Sequence, residues 1–434
     1  MRVAEPPEPS GVAAPAHGPS PAAPAYPPRR RLQRLDLLRI ALFLFVLFAH
    51  AVGTINIDEH QLRGMGLYSM LNHFTRYGFV YVTGFVLFLG YHDRAVPARQ
   101  FWRRRFGLVV MPYLVWSVTY IAADAWMLSD DPFPAPAEFL RAAAVAIVRG
   151  DAKYQLYFLL ISMQIYLVFP ALSALVRRTR GHHGKLLAAA AAIQFTGSCL
   201  LTYLPAPTGR IAAEIHGFWW KSLPLYALFL VGGALCAVHF DRFDAWLRRN
   251  TLAVGVSGLA VAILTICIYY GYTYTGDLPK VSRAATHPLY LPWHIAATAL
   301  LLVAATALTD RRTNPGPRSA RWIQALSLRA FGLFVVHPLV IDLIHKSGFV
   351  HRLYEMFPDS TVPRSIGLAL ATLVVSLALV EVLLRLPGAR YIVARDRIPL
   401  PRRRRGPARQ IPEQVASAER ADAAAPESAH PGDD

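Results

Sequence analysis

Three ionisable side chains stand in a single apolar stretch of this sequence. They are Asp36, Arg39 and His50, in LDLLRIALFLFVLFAHAVG. An imidazole titrating near neutrality can take a proton from a hydroxyl. A guanidinium can grip a phosphate through two parallel hydrogen bonds. Arg39 and His50 are eleven residues apart. At roughly 100° per residue that is three helical turns and about 20°, so both fall on one helical face, about 16 Å apart along the axis. Asp36 lies one turn before Arg39 in the same stripe. The pattern suits a site that holds a phosphate-bearing donor at one end and does base chemistry at the other. The structural alternatives are an Arg39 that snorkels to an interface, an Asp36 that is its ion-pair partner or an N-cap, and a His50 that is a hydrogen-bonded core group.

The elements that must position these groups are membrane helices. Of 434 residues, 54% are in the hydrophobic class and 17% are charged, and mean hydropathy is +0.33. Soluble domains carry about 25% charged residues, so a soluble cytosolic enzyme is excluded. The three cysteines, Cys199, Cys236 and Cys267, sit in apolar runs, which argues against a disulfide scaffold. The net charge of +18 is carried between apolar runs, which points to a membrane surface and not to nucleic acid. Runs near the ~20 residues a bilayer requires occur at 37–56, 74–91, 106–127, 154–175, 186–204, 224–240, 251–271, 288–308, 324–345 and 365–386. The expected fold is all-α: a polytopic membrane protein with about ten transmembrane helices in one bundle over 36–390. A Pro/Ala-rich tail, 1–35, and a basic then polar tail, 391–434, are expected to be disordered.

Loop charge sets the expected orientation. Cations such as Arg94, Arg99, Arg177, Arg178, Arg242, Arg248, Arg311 and Arg312 crowd alternate loops, whereas Asp58, Glu59, Asp130, Asp131, Asp277 and Asp359 lie in the opposite ones. The positive-inside rule puts both termini in the cytoplasm of a multi-pass protein of the inner membrane, and the basic run Arg402 to Arg405 agrees.

Further groups are weighed in the same way. Arg103, Arg104 and Arg105 are either an inside-loop anchor or ligands for a donor phosphate. His337 precedes Pro338, where a broken helix could line a cavity. Glu381 and Arg385 are spaced to neutralise each other. His182 and His183 have no acidic or Cys partner nearby, so no metal site is expected. Trp219 and Trp220 fit an aromatic belt or a surface on which a sugar stacks.

Together these residues resemble the membrane acyltransferase-3 family. The first run matches its R-x-D-x-x-R-x(10)-H pattern through Arg34, Asp36, Arg39 and His50. FVYVTGFVLFLG is similar to its second span, with Thr83-Gly84 where Ser-Gly is usual. FWRRRFGLVVMPYLVW, YQLYFLLISMQIYLVFPAL and SLRAFGLFVVHPLVI, the last with His337, resemble later spans in order. The chain departs at an Arg-x-x-Arg pair common in the family, since Phe106 stands three places after Arg103. The resemblance covers about 37–390 and implies a catalytic His50 and a donor-binding Arg39. Arg103, Arg104 and Arg105 are the further donor-binding candidates, and Asp36, Thr83 and His337 the supporting ones. It implies transfer of an acyl group, acetyl foremost, from cytosolic acyl-CoA as co-substrate to a hydroxyl of a sugar, surface polysaccharide, lipid or related acceptor. No cofactor or metal is expected; oligomeric state stays open. The competing reading is a transporter or exporter. Against it, Asp36, Asp124, Asp342 and Glu381 lie near span ends, whereas proton-coupled carriers place acids in mid-span.

Overall fold

The structure is a computed structural model that describes residues 29–55, 62–92, 97–127, 132–274, 284–311 and 317–398. Most of both expected tails lies outside these residues. So do Arg94, Arg312, Asp58, Glu59, Asp130, Asp131, Asp277 and the run Arg402 to Arg405. The described residues form helices and no strand. In order these are α1 (Arg29–Ile55), α2 (Leu62–Asn72), α3 (Phe74–Tyr91), α4 (Ala98–Met127), α5 (Pro136–Arg149), α6 (Tyr157–Arg178), α7 (His183–Tyr203), α8 (Arg210–Trp219) and α9 (Ala227–Val238). They continue as α10 (Phe240–Arg249), α11 (Thr251–Tyr274), α12 (Leu291–Arg311), α13 (Pro317–Lys346), α14 (Phe349–Met356), α15 (Thr361–Leu383) and α16 (Ala389–Val393).

Nine helical stretches among the described residues are long and apolar enough to cross a membrane, one of them running from α8 through α9. They correspond to nine of the ten expected runs. The remaining run is α3, which has 18 residues and carries Arg76. It packs centrally, against α9, α1, α12 and α6. The chain is a multi-pass membrane protein. Lipid replaces water around such a bundle, so apolar side chains face outward as well as inward. On α11, Leu252, Val256, Leu259 and Ile263 form an exposed stripe at helical spacing.

Two apolar clusters make the interior. One gathers Leu35, Leu38 and Leu42 of α1 with α3, α6 and α9; the other gathers Phe43, Leu47 and Ala51 of α1 with α4, α13 and α15. The helix that carries the sequence pattern is therefore the seam between the two halves. Close approach in the first half depends on glycine. A Cβ on Gly233 of α9 would stand 2.1 Å from the Tyr81 carbonyl oxygen, and one on Gly84 of α3 would stand 2.6 Å from the Leu230 carbonyl oxygen. In the second half, Pro338 lies inside α13 and cannot supply its helical hydrogen bond. The Tyr120 hydroxyl inserts into the next rung, between Val335 and Leu339. It donates to the Val335 carbonyl at 2.7 Å and accepts the Leu339 N–H at 3.3 Å. The helix stays continuous, so the expected broken helix at Pro338 is not found.

Ion pairs fasten the two ends. At the Arg34 end, Arg34 and Arg248 each bond Asp244 and Asp310, joining α1, α10 and α12. Burial alone would raise the Asp244 carboxyl, but the two guanidiniums hold it below its ordinary value. At the other end, Lys153 reaches Asp124 and Asp342, each at 2.8 Å. Burial would lower the Lys153 ammonium, but the two carboxylates hold it above its ordinary value.

Three expected boundaries move. Helix α1 begins at Arg29, inside the expected tail 1–35. At the other terminus the packed unit continues past residue 390. Ala389 and Val393 are buried, and the Trp116 indole donates to the Ile392 carbonyl at 2.9 Å. Short amphipathic segments gain order by docking, which composition does not report. Helix α4 begins at Ala98, eight residues before the expected span. Arg103, Arg104 and Arg105 therefore lie on a helix and not in a loop.

Candidate functional site

Two chambers lie on the seam, one at each end of the Asp36–His50 stripe. Four helices contribute to both. The Arg39 chamber encloses about 340 Å³ and is lined by Arg39, Thr83, Arg105, Tyr166, Ser327 and Arg395, among others. The His50 chamber encloses about 590 Å³ and includes His50, Tyr68, Arg76, Tyr154, Tyr157 and Trp220 in its wall. The helical-face argument thus holds in three dimensions: Arg39 and His50 open onto one axial path, from opposite ends.

At the first chamber, Arg39 is held from below. Its Nη1 lies 3.6 Å from Asp36 Oδ1, and Ser327 Oγ donates to the same oxygen at 2.5 Å. Asp36 is therefore the ion-pair partner of Arg39. The structure divides the arginine triplet. Successive residues on a helix point about 100° apart, so a run of three cannot share a face. Arg103 and Arg104 are exposed, and neither lines the chamber. Arg105 does, with its guanidinium over the rings of Tyr91 at 5.1 Å and Tyr166 at 5.9 Å. Arg395 reaches the chamber from beyond the expected domain boundary. Three guanidiniums thus converge there, and no carboxylate is in the lining among the described residues. Thr83 also faces the chamber; its hydroxyl donates to the Phe79 carbonyl at 2.8 Å.

At the second chamber, the His50 ring lies 4.2 Å from that of Tyr154 and 5.4 Å from that of His337, the latter pair stacked. His337 does not line the chamber. It is fully buried behind His50, with Nδ1 3.1 Å from the Leu333 carbonyl and, among the described residues, no hydrogen-bond partner at Nε2. The sequence places it near a helix break; the structure makes it a neighbour of His50. Trp220 belongs to the chamber wall, and its ring packs on Tyr157 at 4.7 Å.

Sequence reading missed Arg76. Its guanidinium sits over the rings of Tyr157 at 5.5 Å and Trp220 at 5.7 Å, facing the His50 chamber. The signal was available, because Arg76 is a cation inside an apolar run, the feature that singled out Arg39. It also missed Tyr154 and Arg395, which only the tertiary fold brings to the chambers.

Other candidates fall away from this path. Glu381 bonds Arg385 at 2.8 Å, as its spacing suggests, and also Arg329 at 2.7 Å. His183 pairs with His239 at 2.7 Å. No group of three or more His, Cys, Asp or Glu able to hold a metal ion occurs among the described residues.

A family model described as an acyltransferase domain, that of the acyltransferase-3 family, matches residues 32–381. No curated protein and no solved structure matches the chain.

Proposed function

From a chain that belongs to the acyltransferase-3 family, and whose general activity is acyl transfer, we propose a membrane O-acyltransferase that moves an acyl group, acetyl foremost, from acyl-CoA to a hydroxyl of a glycan or lipid acceptor. The observation that carries this reading is the pair of chambers on one axial path, one lined by three guanidiniums and the other by an imidazole. Phosphates of the donor suit Arg39, Arg105 and Arg395, since a guanidinium matches phosphate geometry and keeps its charge. Asp36 and Ser327 orient Arg39 for that contact.

In the His50 chamber the imidazole takes the proton of the acceptor hydroxyl as its oxygen attacks the thioester carbonyl. The tetrahedral intermediate then collapses. The C–S bond breaks, the acyl group stays on the acceptor oxygen, and the leaving thiolate takes the proton back from His50. His337, stacked behind, is a positioning residue for that ring. Tyr157 and Trp220 offer faces on which a sugar ring can stack, and Arg76 offers donors to acceptor oxygens. We further propose that the Arg39 chamber opens to the cytoplasm of the inner membrane, with both chain termini on that side.

The test is transfer of label from radiolabelled acetyl-CoA to the lipid and glycan fractions of membranes that contain the protein. His50→Ala should lower the rate by about 10²–10⁴, the usual contribution of a general base, while membrane insertion is unchanged. Full activity of a normally inserted His50→Ala protein would remove His50 from the mechanism. Label that crosses sealed vesicles without becoming covalently attached would favour transport instead.

A further inference from the structure

The two chambers do not merge. The residues common to both linings are Phe79 of α3, Phe158 of α6 and Phe334 of α13. Their rings pack on one another in a closed triangle. The centroids are 5.5 Å apart for Phe79 and Phe158, 6.4 Å for Phe79 and Phe334, and 6.0 Å for Phe158 and Phe334. The same level divides three helices on the path, α1, α3 and α6. On α3, Thr83 faces the Arg39 chamber and Arg76 the His50 chamber. On α6, Ser162 and Tyr166 fall on the first side and Tyr157 on the second, with Tyr154 of the preceding turn; on α1, Arg39 and Phe43 fall on the first and Val46 and His50 on the second. All three phenylalanines are half-buried, packed against the apolar clusters on one side and lining both chambers on the other.

We propose that Phe79, Phe158 and Phe334 form an aromatic constriction that selects the acyl group by its cross-section. The proposal rests on the acyl-CoA reading above. Highly charged phosphates stay with the three guanidiniums, because passing an apolar ring of phenylalanines would strip their hydration and their partners. Only the thin, neutral thioester end threads the triangle to reach His50. A branched or aromatic acyl group must displace a ring that is in contact with two others. Slender acyl groups pass, and wide ones are refused before they reach His50. The same rings keep the His50 chamber from exchanging water with the cationic chamber, which limits hydrolysis of the thioester.

Two measurements test the constriction. In the first, kcat/KM for benzoyl-CoA and acetyl-CoA is compared in the native protein, Phe158→Ala and Phe334→Ala, with Phe158→Leu as the conservative control. The native protein should prefer acetyl-CoA. The alanine variants should raise the benzoyl-to-acetyl ratio about tenfold or more, the leucine variant should move it little, and donor affinity should stay unchanged because Arg39 and Arg105 are untouched. An unchanged ratio in stably inserted alanine variants overturns the proposal, as does a native protein that uses both donors equally.

The second measurement needs no acyl transfer. Ala49→Cys, on the His50 side, is introduced with Cys199, Cys236 and Cys267 replaced by Ala. It is then labelled by a membrane-impermeant ammonium methanethiosulfonate supplied only from the Arg39 face of sealed vesicles. Labelling should be slow, and about tenfold faster when Phe158→Ala is added. Equal rates overturn the constriction. Faster labelling in a protein that uses neither acyl-CoA would uphold the constriction and reject the donor reading.

Discussion

A helix turns by about 100° per residue, and that decides which cations near Arg39 line its chamber. Arg103 and Arg104 project away from the bundle while Arg105 lines the chamber beside Arg39. Losing a charged hydrogen bond costs about 1.5–3 kcal/mol, or roughly tenfold or more in affinity. Arg105→Ala and Arg39→Ala should therefore each weaken acetyl-CoA binding at least about tenfold. Arg103→Ala and Arg104→Ala should leave it within about twofold. Arg39→Lys should recover only part of the loss, because the ammonium keeps the charge and lacks the planar fork. Equilibrium binding of acetyl-CoA to the purified variants checks all five. A matching loss in Arg103→Ala would return that residue to the donor site and undo the division of the triplet.

Among the elements, the pairing of α3 with α9 places the second chamber. Helix α3 carries Thr83, Phe79 and Arg76 along the path, and it can lie against α9 only because Gly84 and Gly233 admit the opposing backbone. Small residues at such crossings let membrane helices approach closely. Gly233→Ala would set a methyl group against the Tyr81 carbonyl, where the backbone has no rotamer with which to yield. Overpacking usually costs about 1–3 kcal/mol. Thermal unfolding in detergent should occur at clearly lower temperature for Gly233→Ala. Gly90→Ala on the same α3 meets nothing within 4 Å and should be neutral or slightly stabilising, since alanine is the better helix former. Equal melting of the two variants would mean that the crossing does not depend on the glycine.

For the whole molecule, the ion-pair networks mark two opposite ends. One joins Arg34, Asp244, Arg248 and Asp310; the other joins Lys153, Asp124 and Asp342. The cation-rich loops argue that the Arg34 end faces the cytoplasm. A reporter active only outside the cytoplasm should be silent when fused after residue 434. It should be active when placed at Asp130, between α4 and α5. Signals of one sign from both fusions would reverse or break the proposed sidedness, and with it the entry of the donor at Arg39. The acids that a transporter would use for coupling are held in pairs at these ends. Asp124 and Asp342 meet Lys153, and Glu381 meets Arg329 and Arg385.

Local chemistry determined the part of this protein that the sequence alone makes readable. Apolar run length specified the helices, because a bilayer leaves backbone groups no partner but their own helix. Helical period put Arg39 and His50 on one face, and the i,i+3 and i,i+4 spacings predicted the Asp36–Arg39 and Glu381–Arg385 pairs. The domain edges were less legible. The segment carrying α16 is too short to declare itself, and it gains order by packing on α4, α13 and α15. The tertiary structure decided what depends on residues distant in the chain. It chose Arg105 from its triplet, set His337 behind His50, brought Arg395 to the Arg39 chamber and packed Phe79, Phe158 and Phe334 between the two chambers. Periodicity says which way a side chain points from its own helix. It carries no information on which neighbouring helix stands opposite, because that choice is made by close approach and packing among all the helices at once.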